Sequence, residues 1–272
     1  MGNDTLIRLS AFVGVMAVMA CWELVAPRRS LTTLKMRRWV ANLMIVALNT
    51  LVLRVLFAAG AVGMAVSAAD HGWGLLNHLE WPILLKATLA VMALDLVLYL
   101  QHLMFHAAPL LWRFHMMHHA DLDVDVTTGA RFHPVEVVLS MLIKLAAVAV
   151  IGPPPAAVVS FEVLLNATSM FNHSNVRMPA PVELLLRSVV VTPDMHRVHH
   201  SIDPRETNRN FGFNLPWWDH LFGTYRAEPM QGQEGMTLGL EQYRDPARLN
   251  LGGMLALPFV GTPGKYPLGR AN

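Results

Sequence analysis

A single cysteine, Cys21, among 272 residues excludes an internal disulfide and any metal cluster built on cysteine. Charge is scarce as well. Only 15% of the residues are Asp, Glu, Lys or Arg, and they nearly cancel to a net +2. The basic residues gather in one stretch beside an apolar segment, so a nucleic-acid partner is not expected. The sequence contains no glycine fingerprint for a dinucleotide or flavin and no C-x-x-C-H haem attachment. A hydrophobic fraction of 54% is too high for an ordinary soluble fold. The seven tryptophans suit interfacial anchoring. The remaining surplus is histidine: thirteen, most of them clustered.

Four apolar regions set the topology. Residues 5–26 are long enough to cross a hydrocarbon core of about 30 Å. They read as a retained span rather than a signal peptide, because Arg8 alone supplies the basic leader and Trp22-Glu23-Leu24 continues the helix. Further spans are expected over 40–66 and 82–105. The fourth region, 134–172, is interrupted by Gly152-Pro153-Pro154-Pro155, which cannot lie inside a helix. It reads as a helical hairpin of two arms, 134–151 and 156–172. The loop joining the first two spans carries Arg28, Arg29, Lys35, Arg37 and Arg38, whereas the next loop has Asp70 and Glu80 and no Lys or Arg. Positive charge therefore predicts a cytoplasmic first loop. Parity then puts residues near 106 and 173 on that same face. Arg54, Lys86 and Asp95 interrupt the apolar runs and should face protein, a cavity or an interface. After 173 the chain is more polar and ends in a Gly/Pro-rich tail with no further span. The expected fold is all-α: one membrane domain over 1–272, a polytopic helical bundle with a cytoplasmic histidine-rich helical cap.

The histidines fall into boxes. YLQHLMFH supplies His102 and His106, WRFHMMHH supplies His115, His118 and His119, and DMHRVHH supplies His196, His199 and His200. On a helix, residues three and four apart share one face, so each box directs its imidazoles to one side. Imidazole is a neutral donor suited to iron, zinc and related metals. Eight clustered imidazoles exceed the four ligands of one tetrahedral zinc site, which suggests two metals. His173 lies at the hairpin exit on the same face and is a ninth candidate. Asp95 and Tyr99 extend the first box's stripe towards the membrane, as supporting or cavity groups. His133, before Pro134, is a candidate for a supporting or substrate-channel role, and Glu136 could orient an imidazole through its free N–H. His71, His78 and His220 lack ligand spacing.

Together the boxes resemble the fatty acid hydroxylase/sterol desaturase superfamily of integral-membrane oxygenases. The resemblance covers about 95–224 and includes DLVLYLQHLMFH, LLWRFHMMHH, RFHPVE, FNHSN, DMHRVHHS and the trailing NFGFNLPWWDHLFGTY. WELVAPRR and RRWVAN also look like the family's first cytoplasmic loop. One departure is Leu103, where many relatives have Arg after the first box histidine. The resemblance implies a di-iron centre with His102, His106, His115, His118, His119, His173, His196, His199 and His200 as ligands. It covers hydroxylases, desaturases and ether-cleaving monooxygenases.

The expected activity is therefore a membrane-bound di-iron oxidoreductase. It would hydroxylate or desaturate a lipid or sterol-like substrate with O2, drawing electrons from a separate donor protein. An ether-lipid monooxygenase, with pterin as a further option, is the alternative enzyme. A membrane metal transporter or sensor is the alternative from another class. The expected location is a bacterial inner membrane or the eukaryotic endoplasmic reticulum, with the histidines on the cytoplasmic face.

Overall fold

A computed structural model describes residues 3–268. Its helices in chain order begin with α1 (Asn3–Val25), α2 (Lys35–Leu56), α3 (Gly60–His71), α4 (Ile83–Ala107) and α5 (Pro109–His119). The hairpin arms are α6 (Pro134–Ile151) and α7 (Pro155–Asn172). Short helices follow: α8 (Ala180–Leu186), α9 (Pro193–His199), α10 (Pro204–Thr207), α11 (Trp217–Leu221), α12 (Gly232–Gly235) and α13 (Leu251–Val260). Among the described residues there is no β-strand, only isolated bridges at Pro27–Val176 and Ser201–Leu238.

Four helical segments are long and apolar enough to cross a membrane: Asp4–Val25, Lys35–His78, Ile83–Ala107 and Pro134–Ile151. Their outward faces carry Val13, Val18, Leu51, Leu84 and Val150, all exposed. An apolar surface of that extent is stable against lipid and not against water. The apolar run over 40–66 is carried by two helices, α2 and α3, separated at Phe57–Ala59. The turn between α6 and α7 depends on Gly152 at φ +67°, and a Cβ there would come 2.7 Å from Trp73 O. The prolines that end α6 also start α7, where a missing N–H costs nothing.

Packing brings one end of the bundle together. Ala61 and Ala65 of α3, Leu94 of α4, Val148 of α6 and Val158 and Phe161 of α7 share one core. Within the bundle, Glu162 of α7 accepts Arg8 of α1 at 2.5 Å and Lys144 of α6 at 3.1 Å. Paired in this way, the three charges are tolerable at membrane depth. Arg54, by contrast, is exposed on α2. α4, α6 and α7 all have their histidine-bearing ends on the side reached by α5, α9 and the loop 120–133.

Within that loop the acidic run DLDVDV, residues 121–126, is buried. Asp121 accepts Arg38 at 2.8 and 2.9 Å, Asp125 accepts the same guanidinium at 2.7 Å, and Asp123 accepts the backbone N–H groups of Thr32 and Thr33. Asn42 and Asn49 continue the polar face of α2, bonding to Thr127 and to Phe132 O. The helix is therefore polar towards the cap and apolar outside, at Met36, Val40, Leu43 and Met44. Of the basic loop, Arg28 pairs with Asp194, Lys35 with Glu23 and Arg38 with Asp121, while Arg37 is exposed. The C-terminal segment is packed rather than trailing. Leu240, Leu249, Leu257 and Tyr266 bury against Trp112, Met116 and Ala120, and Trp112 Nε1 donates to Pro263 O at 2.9 Å.

Candidate metal centre

The nine histidines of the boxes and the hairpin exit meet in two adjoining groups. His102, His106, His115, His119 and His199 form one; His118, His173, His196 and His200 form the other. Within each group the donor atoms lie within 4.8 Å of one another, the arrangement of a site that could hold a metal ion. Every one of these side chains is 2% exposed or less. Each HxxHH box serves both groups. His115 and His119, four apart, enter the five-membered group and His118 the other. His196 and His200 enter the four-membered group and His199 the other. Residues four apart stack on one line of a helix, while the third box member is rotated off it.

Hydrogen bonds set the tautomers. Nδ1 of His102 faces Phe211 O at 2.8 Å, that of His118 faces Arg131 O at 3.2 Å, that of His173 faces Ser169 O at 2.7 Å and that of His199 faces Arg209 O at 2.7 Å. A carbonyl only accepts, so each of these Nδ1 atoms carries the proton. His106 Nδ1 faces Asn208 Oδ1 at 3.1 Å, and His115 Nδ1 faces Glu136 Oε1 at 2.6 Å. The Nε2 lone pairs are then left pointing at one another. Nε2–Nε2 separations are 3.1 Å for His102–His115, 3.0 Å for His102–His199 and 3.1 Å for His118–His173. Lone pairs facing at that distance repel unless a cation lies between them, so the donor set fits metal ions. Outer carboxylate and carbonyl partners are the usual means of fixing such imidazoles.

Burial, reinforced by neighbouring imidazoles, pushes His118, His119, His196, His199 and His200 well below the ordinary histidine range, and burial holds His173 at about 3. All six are neutral at physiological pH, as metal ligation requires. The pH dependence has a definite sign. Below about 6.5 the unfolded imidazoles bind protons that the folded ones refuse, so stability must fall with pH. Metal-free protein is expected to lose thermal stability steadily from about pH 6.5 downwards, with His173 contributing until about pH 3. A melting temperature flat between pH 7 and 5 would contradict this.

The other sequence candidates stand outside both groups. Asp95 accepts Asn214 Nδ2 at 2.7 Å, Trp218 Nε1 at 2.9 Å and Leu215 N at 3.2 Å, fastening the segment after the last box to α4. Tyr99 bonds Thr224 at 2.8 Å and packs against Phe222 and Phe211. His133 caps α6 through Val135 N and faces Leu255 O of α13 at 3.3 Å. His71 stacks on Trp73 and His220 on Tyr225, both away from the groups. Beside Glu136, which faces His115, residues not singled out from sequence do the positioning. Arg131 supplies the acceptor for His118 while its guanidinium bonds Met117 O at 3.1 Å. Asp219 accepts the N–H groups of Phe211 and Gly212, each at 2.8 Å, and so holds the carbonyl that faces His102. Its only sequence signal is its place in the WWDHLFGT run.

Comparison with known proteins agrees with this geometry. A family model described as fatty acid hydroxylase matches residues 87–224, half of the 272-residue chain. The chain is 30% identical over 166 residues to an ornithine lipid hydroxylase of Rhizobium tropici, covering 61% of this chain and 48% of that protein. It is 26% identical over 179 residues to the alkylglycerol monooxygenase of Homo sapiens, covering 65% and 39%. A very-long-chain aldehyde decarbonylase of Oryza sativa is 27% identical over 210 residues, covering 71% and 31%. The chain thus spans less than half the length of these relatives. No solved structure matches. With its helices long and apolar enough to cross a membrane, its buried histidine groups and the match across its histidine boxes, this chain is an integral membrane protein that belongs to the fatty acid hydroxylase family.

Proposed function

We propose that this protein is a di-iron oxygenase that hydroxylates or desaturates a lipid with O2 and electrons from a separate donor protein. The observation that carries the reading is the pair of adjoining histidine groups, five and four, buried at one end of an apolar bundle. His102, His106, His115, His119 and His199 would hold one iron, and His118, His173, His196 and His200 the other. Redox-active iron supplies the oxidant that an unactivated C–H bond needs, chemistry unavailable to side chains alone.

The protein's own part is positioning and exclusion of water. Glu136 aligns His115, and the carbonyls of Phe211, Arg209, Arg131 and Ser169 align four more imidazoles. Phe132 stacks on His118 at 4.5 Å, and Phe213 lies 5.0 Å from His102, walling the rings with apolar surface. Such a dry site limits the loss of a reactive oxidant to solvent. A lipid reaching the centre sideways from the bilayer would not cross water. The basic stretch 28–38, between α1 and the first part of α2, supports a cytoplasmic orientation for the histidine end. Collection of all nine imidazoles at one end counts against a path for metal across the membrane.

Similarity to alkylglycerol monooxygenases keeps ether-lipid oxidation as the second reading. One experiment separates the cases. Iron-loaded protein, a reductant and a bacterial lipid extract are incubated under 18O2 and the lipids analysed by mass spectrometry. One labelled oxygen in a lipid marks hydroxylation, loss of two hydrogens marks desaturation, and a released aldehyde marks ether cleavage. Protein that takes up no iron and changes no lipid would overturn the proposal.

A further inference from the structure

The two histidine groups are supported unequally, and the support for one of them comes almost entirely from four consecutive residues. Asn208 Oδ1 faces His106 Nδ1 at 3.1 Å, Arg209 O accepts from His199 Nδ1 at 2.7 Å, and Phe211 O accepts from His102 Nδ1 at 2.8 Å. Asn208 Nδ2 donates to Tyr266 O at 2.8 Å, which fixes its amide with the oxygen towards His106. Three of the five imidazoles are therefore oriented by one short loop. Glu136 orients a fourth, His115.

Asn210, between these acceptors, touches none of the imidazoles. At φ +53° it is the one non-glycine residue with positive φ among the described residues, a conformation that asparagine tolerates better than most. Its side chain is fully used: Nδ2 donates to Met195 O and Arg226 O, each at 2.8 Å, and Oδ1 accepts from Arg226 N at 2.7 Å. Its own N–H donates to Thr224 O at 3.0 Å. Buried completely, Asn210 ties the loop on one side to Met195 in the first turn of α9, next to His196, and on the other to the segment 224–226.

The four-membered group has no counterpart. His118 and His173 have backbone acceptors, but Nδ1 of His196 and both ring nitrogens of His200 have no hydrogen-bond partner in the protein. An imidazole whose N–H is tied cannot swing away from a metal without breaking that bond. An untied one can leave at no such cost.

We propose that the loop 208–211, locked by Asn210, clamps the five-histidine group and makes its metal position the slower of the two to empty. Asn210 is thus a positioning residue acting through Asn208, Arg209 and Phe211. The inference rests on the reading of the nine histidines as iron ligands.

The test is iron release from the full chain. Purified protein in detergent is loaded anaerobically with Fe2+, its iron per chain is measured, and excess chromogenic chelator is added. Wild-type protein releases its iron in two phases of equal amplitude, the second roughly 10–100-fold slower. Asn210→Ala speeds the slow phase by roughly that factor and the fast phase, whose His196 follows Met195, by much less. Asn210→Gly keeps the left-handed backbone without the side-chain bonds and falls between the two. Asn208→Ala removes the acceptor for His106 together with the bond to Tyr266 O and also speeds the slow phase, which covers an Asn210 variant that does not fold. Two ions leaving in one phase, or an Asn210 variant that speeds both phases alike, overturns the clamp while leaving the iron reading intact. A starting protein that holds no iron overturns that reading and the clamp with it.

Discussion

His118→Ala and His119→Ala are each expected to reduce the bound iron from two ions to one, and each from a different position. The two residues are neighbours in the chain, yet His118 meets His173, His196 and His200 whereas His119 meets His102, His106, His115 and His199. Successive residues on a helix point about a quarter-turn or more apart, so adjacency in sequence separates them in space. Loss of an outer partner costs roughly 10–100-fold in metal affinity, and loss of a direct ligand should cost at least ~100-fold. Turnover on a lipid substrate should fall at least ~100-fold in either variant, because paired metal sites act as a unit. The double variant should be little slower than the single ones, since residues that act as a unit are not additive. Iron analysis and oxygen consumption on the same preparations check this. Two ions and near-normal turnover in either variant would refute the assignment of that residue.

Arg38→Leu should be the most damaging change outside the histidines, at about 3–5 kcal/mol. Its guanidinium spans both oxygens of Asp121, Asp125 Oδ2, the Asp123 carbonyl and Thr128 Oγ1. The partner carboxylates are wholly buried. Removing the cation leaves Asp125 without its ion-pair partner and Asp121 with Arg131 alone, at 3.6 Å, and breaking a buried pair from one side is far worse than never having built it. Arg38→Lys should rescue little, because an ammonium cannot serve this planar set of acceptors. The arginines hold Asp121 down at about 2 against its burial. A carboxylate with a lowered value stabilises the fold above its ordinary value near 3.9, and that contribution disappears as pH falls through about 2. Denaturation midpoints in detergent, wild type against variant, measure the loss. A variant that melts with the wild type would show that the loop 120–131 is held by other contacts.

Arg38 also marks a boundary of what could be read from sequence. It was visible as one of a run of basic residues in a juxtamembrane loop. Nothing local shows that three aspartates 83–87 positions later are buried around it. A run such as DLDVDV looks solvated because isolated carboxylates are costly to bury. Only the arrival of Arg38, Arg131 and the N–H groups of Thr32 and Thr33 makes burial affordable. Asp95 behaves similarly. Its place on the histidine stripe of α4 makes it a candidate supporting or cavity group, and only the fold shows that three donors from residues 214–218 bond its carboxylate.

Local sequence was sufficient for helices over the apolar stretches, for the proline break between α6 and α7 and for the clustering of the nine histidines. Length, apolar run and i, i+3, i+4 spacing are all properties of neighbouring residues. The break of the second apolar run into α2 and α3 escaped that reading, since its composition stays apolar throughout. Tertiary structure alone decided how nine histidines divide into five and four. It also decided which nitrogen of each points inward, because the acceptors for His102, His106 and His115 lie 109, 102 and 21 positions away. The apolar composition pointed to a chain that lives in lipid, and the histidine boxes to imidazoles placed to hold metal. Which imidazole serves which site depends on contacts between distant segments, and these exist only once the chain has folded.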